Sequence, residues 1–341
     1  MSASETQRHL EATVAALLAS GKGILAADES LPTIGKRFAA LGIPSTEQNR
    51  RAYRELLFTT PHLQDSVSGV ILFDETTTQR TDLGETLPGL LFSRGMVAGI
   101  KVDAGTAGLP NFPGEKMTSG LDGLRERLLA YRERGMRFTK WRAVVAIGKD
   151  LPTRTAIETN ARLLALFAAL SQEAGLVPIV EPEVLMDGDH TLARCEEVTG
   201  TTLRAVFAAL GEQRVELATM LLKTGMVLAG AGCIQQASTD EIAEATRRCL
   251  RGAVPAAVPG IVFLSGGQSD VAATERLNAI CRGGEAPWTL SFSFGRALQD
   301  AALRTWHGAP ANVAAAQAAL GHRAKCNGLA LRGSYSEAAE R

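Results

Sequence analysis

The 341-residue sequence predicts a parallel α/β protein closed into a single (β/α)8 (TIM) barrel across residues 1–341. Three observations predict it. Eight short apolar segments rich in Val, Ile, Leu and Phe have the composition of strands buried on both faces. Helical patterns with 3.6-residue apolar stripes alternate with them. Eight such units in a chain of this length favour closure over an open doubly wound sheet, and no GxGxxG follows the first strand to suggest a dinucleotide fold.

In chain order, residues 1–23 read as an amphipathic helix, because the short apolar stretch follows Glu5 and Glu11 and lacks the basic start and cleavage-like site of a signal peptide. The strands are expected at 23–28, 67–74, 96–103, 138–145, 176–183, 216–224, 260–266 and 288–296. Helices are expected at 46–57, 121–134, 155–174, 192–210 and 239–251. Ser238-Thr239-Asp240-Glu241 has the N-cap hydroxyl and early acids of a helix start, and Gly175 stands where a C-cap glycine belongs. The stretch 104–120, with Pro110, Pro113 and four glycines, reads as a surface loop; residues 329–341 read as a polar, mobile tail.

Charge limits the partners. Basic and acidic side chains balance at 36 each, so no global field favours nucleic acid or an anionic membrane. No apolar run approaches spanning length. The five cysteines are scattered without a CxxC, as expected of reduced thiols in the cytoplasm rather than a disulfide or zinc framework.

Chemistry in a barrel collects at the strand ends, and here those ends are charged. They carry Asp28-Glu29-Ser30, Asp74-Glu75, Lys101 with Asp103, Lys140-Trp141-Arg142, Glu181-Pro182-Glu183, Lys223, Ser265-Gly266-Gly267 and Ser293-Phe294-Gly295-Arg296. The period of two sends Lys140 and Arg142 to one face, and Glu181 and Glu183 to one face of the next strand. Lys223 is a lone cation in the run from Leu217 to Val227. By itself it could snorkel from a strand end, but a buried ammonium is costly without a partner, and a nearby Lys140 would depress its pKa. A neutral lysine attacks a ketone, Glu181 suits the acid needed to expel water from the carbinolamine, and Asp28 is available as a base for carbon–carbon cleavage. Ser265-Gly266-Gly267 and Arg296 offer donors for one phosphate, and Thr33, Lys36, Arg37 and Lys101 for a second, which suits a sugar bisphosphate.

The segments LAADES (25–30), GIKVD (99–103), KWR (140–142), VEPE (180–183), LLK (221–223), LSGGQ (264–268) and SFGRALQ (293–299) resemble those of class I (Schiff-base) fructose-1,6-bisphosphate aldolases, in the same order from about residue 21 to 333. The resemblance implies a homotetrameric, metal-independent glycolytic lyase acting on a sugar phosphate. It implies Lys223 as the Schiff-base lysine and Glu181 as its acid/base partner, with Glu183 and Lys140 assisting. Asp28 would serve the C4 hydroxyl. Ser265, Gly266, Gly295 and Arg296 would hold the ketone-end phosphate, and Ser30, Thr33, Lys36, Arg37, Lys101 and Arg142 the rest of the substrate. Two departures stand out. Well-known members continue into a mobile tail ending in tyrosine, whereas this chain stops at Arg341, and Tyr335 falls before that tail and is not given its role. Thr224-Gly225-Met226 replaces the common Pro-Asn-Met, which implies a local backbone change.

A metal-dependent barrel would need converging His or Asp ligands. The five histidines lie mostly away from the strand ends, and His190, in Asp187-Gly188-Asp189-His190, reads as part of a surface turn. An inactive binding protein on the same barrel is the remaining alternative, since fold does not dictate function.

Overall fold

Strands that are apolar on both faces need helices outside and side chains within, and the chain supplies both. The computed structural model describes residues 3–341. Ten strands form: β1 (Gly23–Ala27), β2 (Val67–Leu72), β3 (Val97–Lys101), β4 (Thr106–Gly108), β5 (Lys116–Thr118), β6 (Phe138–Val145), β7 (Val177–Val184), β8 (Leu221–Thr224), β9 (Gly260–Phe263) and β10 (Thr289–Phe294). Eight close a parallel barrel in the order β1-β10-β9-β8-β7-β6-β3-β2. The open-sheet alternative is thereby set aside.

The other two strands, β4 and β5, pair antiparallel as Thr106 with Thr118 and Gly108 with Lys116. They lie inside the stretch expected as a loop, and at three residues each they are too short to show a period. The sixth barrel strand is shorter than expected. Leu217–Thr219 forms a 3-10 turn instead, with the Glu216 carboxylate accepting from the Ala218 N–H at 3.2 Å.

Eleven α-helices are described: α1 (Ala3–Leu17), α2 (Leu31–Ala39), α3 (Glu47–Thr59), α4 (Leu87–Ser93), α5 (Leu124–Glu133), α6 (Arg154–Glu173), α7 (Leu192–Glu212), α8 (Thr239–Ala253), α9 (Asp270–Arg282), α10 (Arg296–Trp306) and α11 (Val313–Leu331). Ser238 and Glu241 make the reciprocal capping box that starts α8. Gly175 ends α6 at φ 75°, a conformation open to glycine without penalty. The C-terminal segment begins in the last turn of α11 and continues against it. Tyr335 is buried, with its N–H on Asn278 Oδ1 at 3.1 Å, and Glu340 pairs with Arg323.

Inside the barrel, Ile24, Ala26, Ile71, Phe138, Val177, Ile179, Leu221 and Val262 form an apolar floor. Leu10, Val14 and Leu17 of α1 join it, so α1 stoppers the N-terminal mouth. Ser68 Oγ donates to Leu17 O at 2.6 Å and holds the stopper down. The Phe138 ring fits because residue 99 is glycine: a Cβ there would lie 2.3 Å from the ring. Above the floor the same inward rows continue into charged residues.

Candidate active site

The strand period decides what enters the barrel. On β6 the inward row runs Phe138, Lys140, Arg142, and on β7 it runs Val177, Ile179, Glu181, Glu183. On β8, Leu221 is followed inward by Lys223; on β1, Ile24 and Ala26 lead to Asp28. Four strands thus deliver two ammonium groups and two carboxylates to one level.

The result is a chain of alternating charge. Lys140 Nζ donates to Asp28 Oδ2 at 2.9 Å and lies 2.9 Å from Glu181 Oε2. Lys223 Nζ lies 3.3 Å from Glu181 Oε1. Lys140, Glu181 and Lys223 are only 4, 3 and 3% exposed, so water does little to screen these charges. Their protonation follows. Burial pushes the Lys223 amine down by more than the attraction of Glu181 raises it, and Lys140 adds like-charge repulsion in the same direction as burial. Burial also opposes the charge on Lys140, but Asp28 and Glu181 outweigh it and hold that amine protonated. Burial alone would raise both acids; Lys140 and Lys223 instead hold Asp28 and Glu181 below the usual carboxylate range. One lysine is therefore fixed as a cation while its neighbour is released towards the neutral amine.

The rim is tied to this centre. Arg142 donates through Nε to Glu183, and its backbone N–H reaches Asp103 Oδ2 at 3.3 Å. Asp103 also holds Lys101 Nζ at 3.1 Å. Past β9 the chain turns through Gly266 at φ 54° and Gly267 at φ 88°. A Cβ on Gly267 would sit 3.4 Å from Arg296 Nη2, so the first residue of α10 reaches over the Ser265-Gly266-Gly267 turn. Gly295 caps α10, where helix N–H groups present partial positive charge. Ser265 is buried and Arg296 exposed.

Beyond β1, Ser30 Oγ and Thr33 Oγ1 are 3.0 Å apart at the start of α2. Arg37 is turned onto Glu29 at 2.6 Å, and Lys36 lies exposed on the same helix. Asp74 and Glu75 bind Tyr131 and Arg50 on the periphery, apart from the lysine–carboxylate chain. His190 is buried rather than in a surface turn, because Gly230, whose N–H donates to His190 O at 2.8 Å, closes over its backbone.

Sequence reasoning missed the network beneath Arg37. Glu29 also accepts from Arg54 at 2.7 Å and from Gln299 Nε2 at 3.0 Å, and Gln299 accepts from Tyr53 OH at 3.1 Å. A signal was present: Arg54 sits among Tyr53, Leu56, Leu57 and Phe58, and a buried arginine on such a face needs an acid.

Comparison with known proteins now adds to the geometry. The family model for fructose-bisphosphate aldolase class-I matches residues 9–341. A probable fructose-bisphosphate aldolase class 1 from Xanthomonas campestris pv. campestris is 55% identical over 327 residues, covering 96% of this chain and 98% of that one. Fructose-bisphosphate aldolase 2 from Caenorhabditis elegans is 50% identical, covering 94% of this chain and 88% of its own. Among solved structures, fructose-bisphosphate aldolase from Plasmodium falciparum, in complex with TRAP and a small-molecule inhibitor, superposes with a TM-score of 0.96 at 46% identity, covering 97% of this chain and 96% of that one. The chain belongs to the class-I fructose-bisphosphate aldolase family.

Proposed function

We propose that this chain, as one domain, reversibly cleaves fructose 1,6-bisphosphate to dihydroxyacetone phosphate and glyceraldehyde 3-phosphate through an imine on Lys223. The observation that carries this is the buried Lys223 amine, held below its ordinary pKa and 3.3 Å from a carboxylate it shares with Lys140.

Neutral Lys223 attacks C2 of the open-chain ketose. The proton it sheds passes to Glu181, which Lys140 and Lys223 hold as a carboxylate in the resting site. The C2 oxyanion takes one proton from solvent to become the carbinolamine hydroxyl, and Glu181 then returns its proton to that hydroxyl, which leaves as water and yields the iminium. Lys140, cationic throughout, restrains reprotonation of the amine by like-charge repulsion and stabilises oxyanion character at C2. Asp28, kept ionised, takes the C4 hydroxyl proton. The C3–C4 bond breaks, its electrons flow into the iminium as an enamine, and the aldehyde departs. Protonation at C3 and hydrolysis through Glu181 free the ketone phosphate.

Glu183 fixes Arg142 at the rim. Ser265, Gly266, Gly295 and Arg296 take the ketone-end phosphate, and Ser30, Thr33, Lys36, Arg37, Lys101 and Arg142 serve the other half of the substrate. The roles rest on charge type and position relative to Lys223. A cytoplasmic homotetramer that needs no metal for turnover completes the reading; no helix among the described residues is long and apolar enough to cross a membrane.

Borohydride reduction with dihydroxyacetone phosphate, followed by peptide mass spectrometry, tests it. A reduced adduct on Lys223 is expected. A folded protein without one, or with the adduct on Lys140, overturns the assignment.

A further inference from the structure

In the helical layer outside the barrel, α11 carries His322 and Cys326 four residues apart, a spacing that puts both on one helix face. The C-terminal segment folds back to bring Glu340 to them. His322 Nε2 lies 3.4 Å from Glu340 Oε2 and 3.6 Å from Cys326 Sγ. One ligand atom from each residue lies within 4.8 Å of the other two.

These separations can be set against metal geometry. A tetrahedral zinc ion holds sulfur at about 2.3 Å and nitrogen or oxygen at about 2.0–2.1 Å, so adjacent S···N and N···O ligand atoms stand roughly 3.5 and 3.3 Å apart. The two printed edges of the His322–Cys326–Glu340 triangle match those values within about 0.1 Å. The carboxylate is also fixed from outside the triangle. Arg323 Nη1 donates to both carboxylate oxygens of Glu340, to Oε1 at 2.6 Å and to Oε2 at 2.5 Å, and Tyr335 OH donates to Oε1 at 2.5 Å. A metal on Oε2 would share that oxygen with Arg323 while the carboxylate stays fixed from outside, the kind of support that ligating carboxylates receive. Arg323 brings a positive charge that works against a dication; the thiolate formed on binding supplies the compensating negative charge.

We propose that His322, Cys326 and Glu340 form a divalent-cation site of zinc type that clamps the C-terminal segment onto α11. Cys326 loses its thiol proton to solvent as the sulfur–metal bond forms, His322 binds as the neutral imidazole, and nothing is oxidised or reduced. Water or the carbonyl oxygen of Ala339, 3.5 Å from Cys326 Sγ, completes four ligands. The site belongs to the outer helices, since α11 packs on α9, α10 and α3, and it takes no part in the imine chemistry.

Cobalt(II) titrated into the full-length protein is the test, because its spectrum reports both geometry and sulfur ligation. One equivalent should bind with intense tetrahedral bands and a sulfur-to-cobalt charge-transfer band. Cys326→Ser should abolish that band, and His322→Gln and Glu340→Gln should each weaken binding by about tenfold or more. His322 is partly exposed, so its variant should leave the fold intact. Added zinc should also slow proteolysis of residues 332–341 in the parent and not in Glu340→Gln. No uptake, a weak octahedral spectrum, or an undiminished charge-transfer band in Cys326→Ser overturns the site, the last by placing the metal on another thiol.

Discussion

Replacing Glu181 by glutamine separates the two tasks that this side chain is asked to perform. Glu181 attracts a protonated Lys223 and, on the proposed mechanism, carries the proton needed to form and break the carbinolamine. At 3.3 Å the attraction amounts to about 5 kcal/mol at an effective dielectric of about 20. Glutamine removes it while leaving the repulsion from Lys140, which keeps its hydrogen bond to Asp28 at 2.9 Å. The Lys223 amine should therefore become easier to deprotonate, so the supply of nucleophile is not the limiting loss. The proton carrier is. Its removal should slow imine formation by about 10²–10⁴-fold, or about 3–5 kcal/mol of barrier. Rapid mixing with dihydroxyacetone phosphate and borohydride quenching across a pH series reads both effects. The rate should fall throughout, while the pH at which it begins to rise moves down. A rate within a few-fold of the parent, or a limb displaced to higher pH, would refute this division of labour.

Lys223→Met should abolish both the trapped adduct and cleavage without lowering the unfolding temperature, since methionine fills similar space and Glu181 retains Lys140; residual cleavage in kinetic assays would point to another nucleophile. Arg296→Ala should raise KM about 10- to 150-fold by deleting a charge-assisted phosphate contact, and an unchanged KM would move the phosphate elsewhere. Lys140→Met should destabilise the fold by about 3–5 kcal/mol, because it leaves Asp28 and Glu181 buried with a lowered-pKa amine as their nearest ammonium group. The parent draws stability from Asp28 above the unfolded carboxylate pKa of about 3.9 and loses it as pH falls towards the depressed folded value. In Lys140→Met that depression is largely gone, so the advantage of neutral over acidic pH in denaturant titrations should shrink; an unchanged pH dependence would contradict the pairing.

The barrel strands were legible because burial on both faces leaves an apolar run that only ends where chemistry begins. Phe138–Val145 was read to the residue, as its whole length is paired with β7. Period two also placed Lys140 and Glu181 on facing inward rows. Helices α2, α4, α9, α10 and α11 went unread for a different reason. The alanine-rich α11 is packed against several neighbours, so its buried positions include Arg323 and Asn327 and blur any stripe. Contacts across long separations were invisible too. Glu29 lies 25 residues from Arg54 and 270 from Gln299, and no local pattern announces such partners.

The stopper formed by Leu10, Val14 and Leu17 has a kinetic corollary. A barrel sealed at one end is a cup, with a single doorway for everything that enters or leaves. On the proposed mechanism the ketone fragment stays bonded to Lys223 until its imine is hydrolysed, which follows loss of the aldehyde fragment. Departure must then be ordered, aldehyde first and ketone phosphate last. In the synthetic direction the enamine on Lys223 must form before the aldehyde can react, so the ketone phosphate loads first.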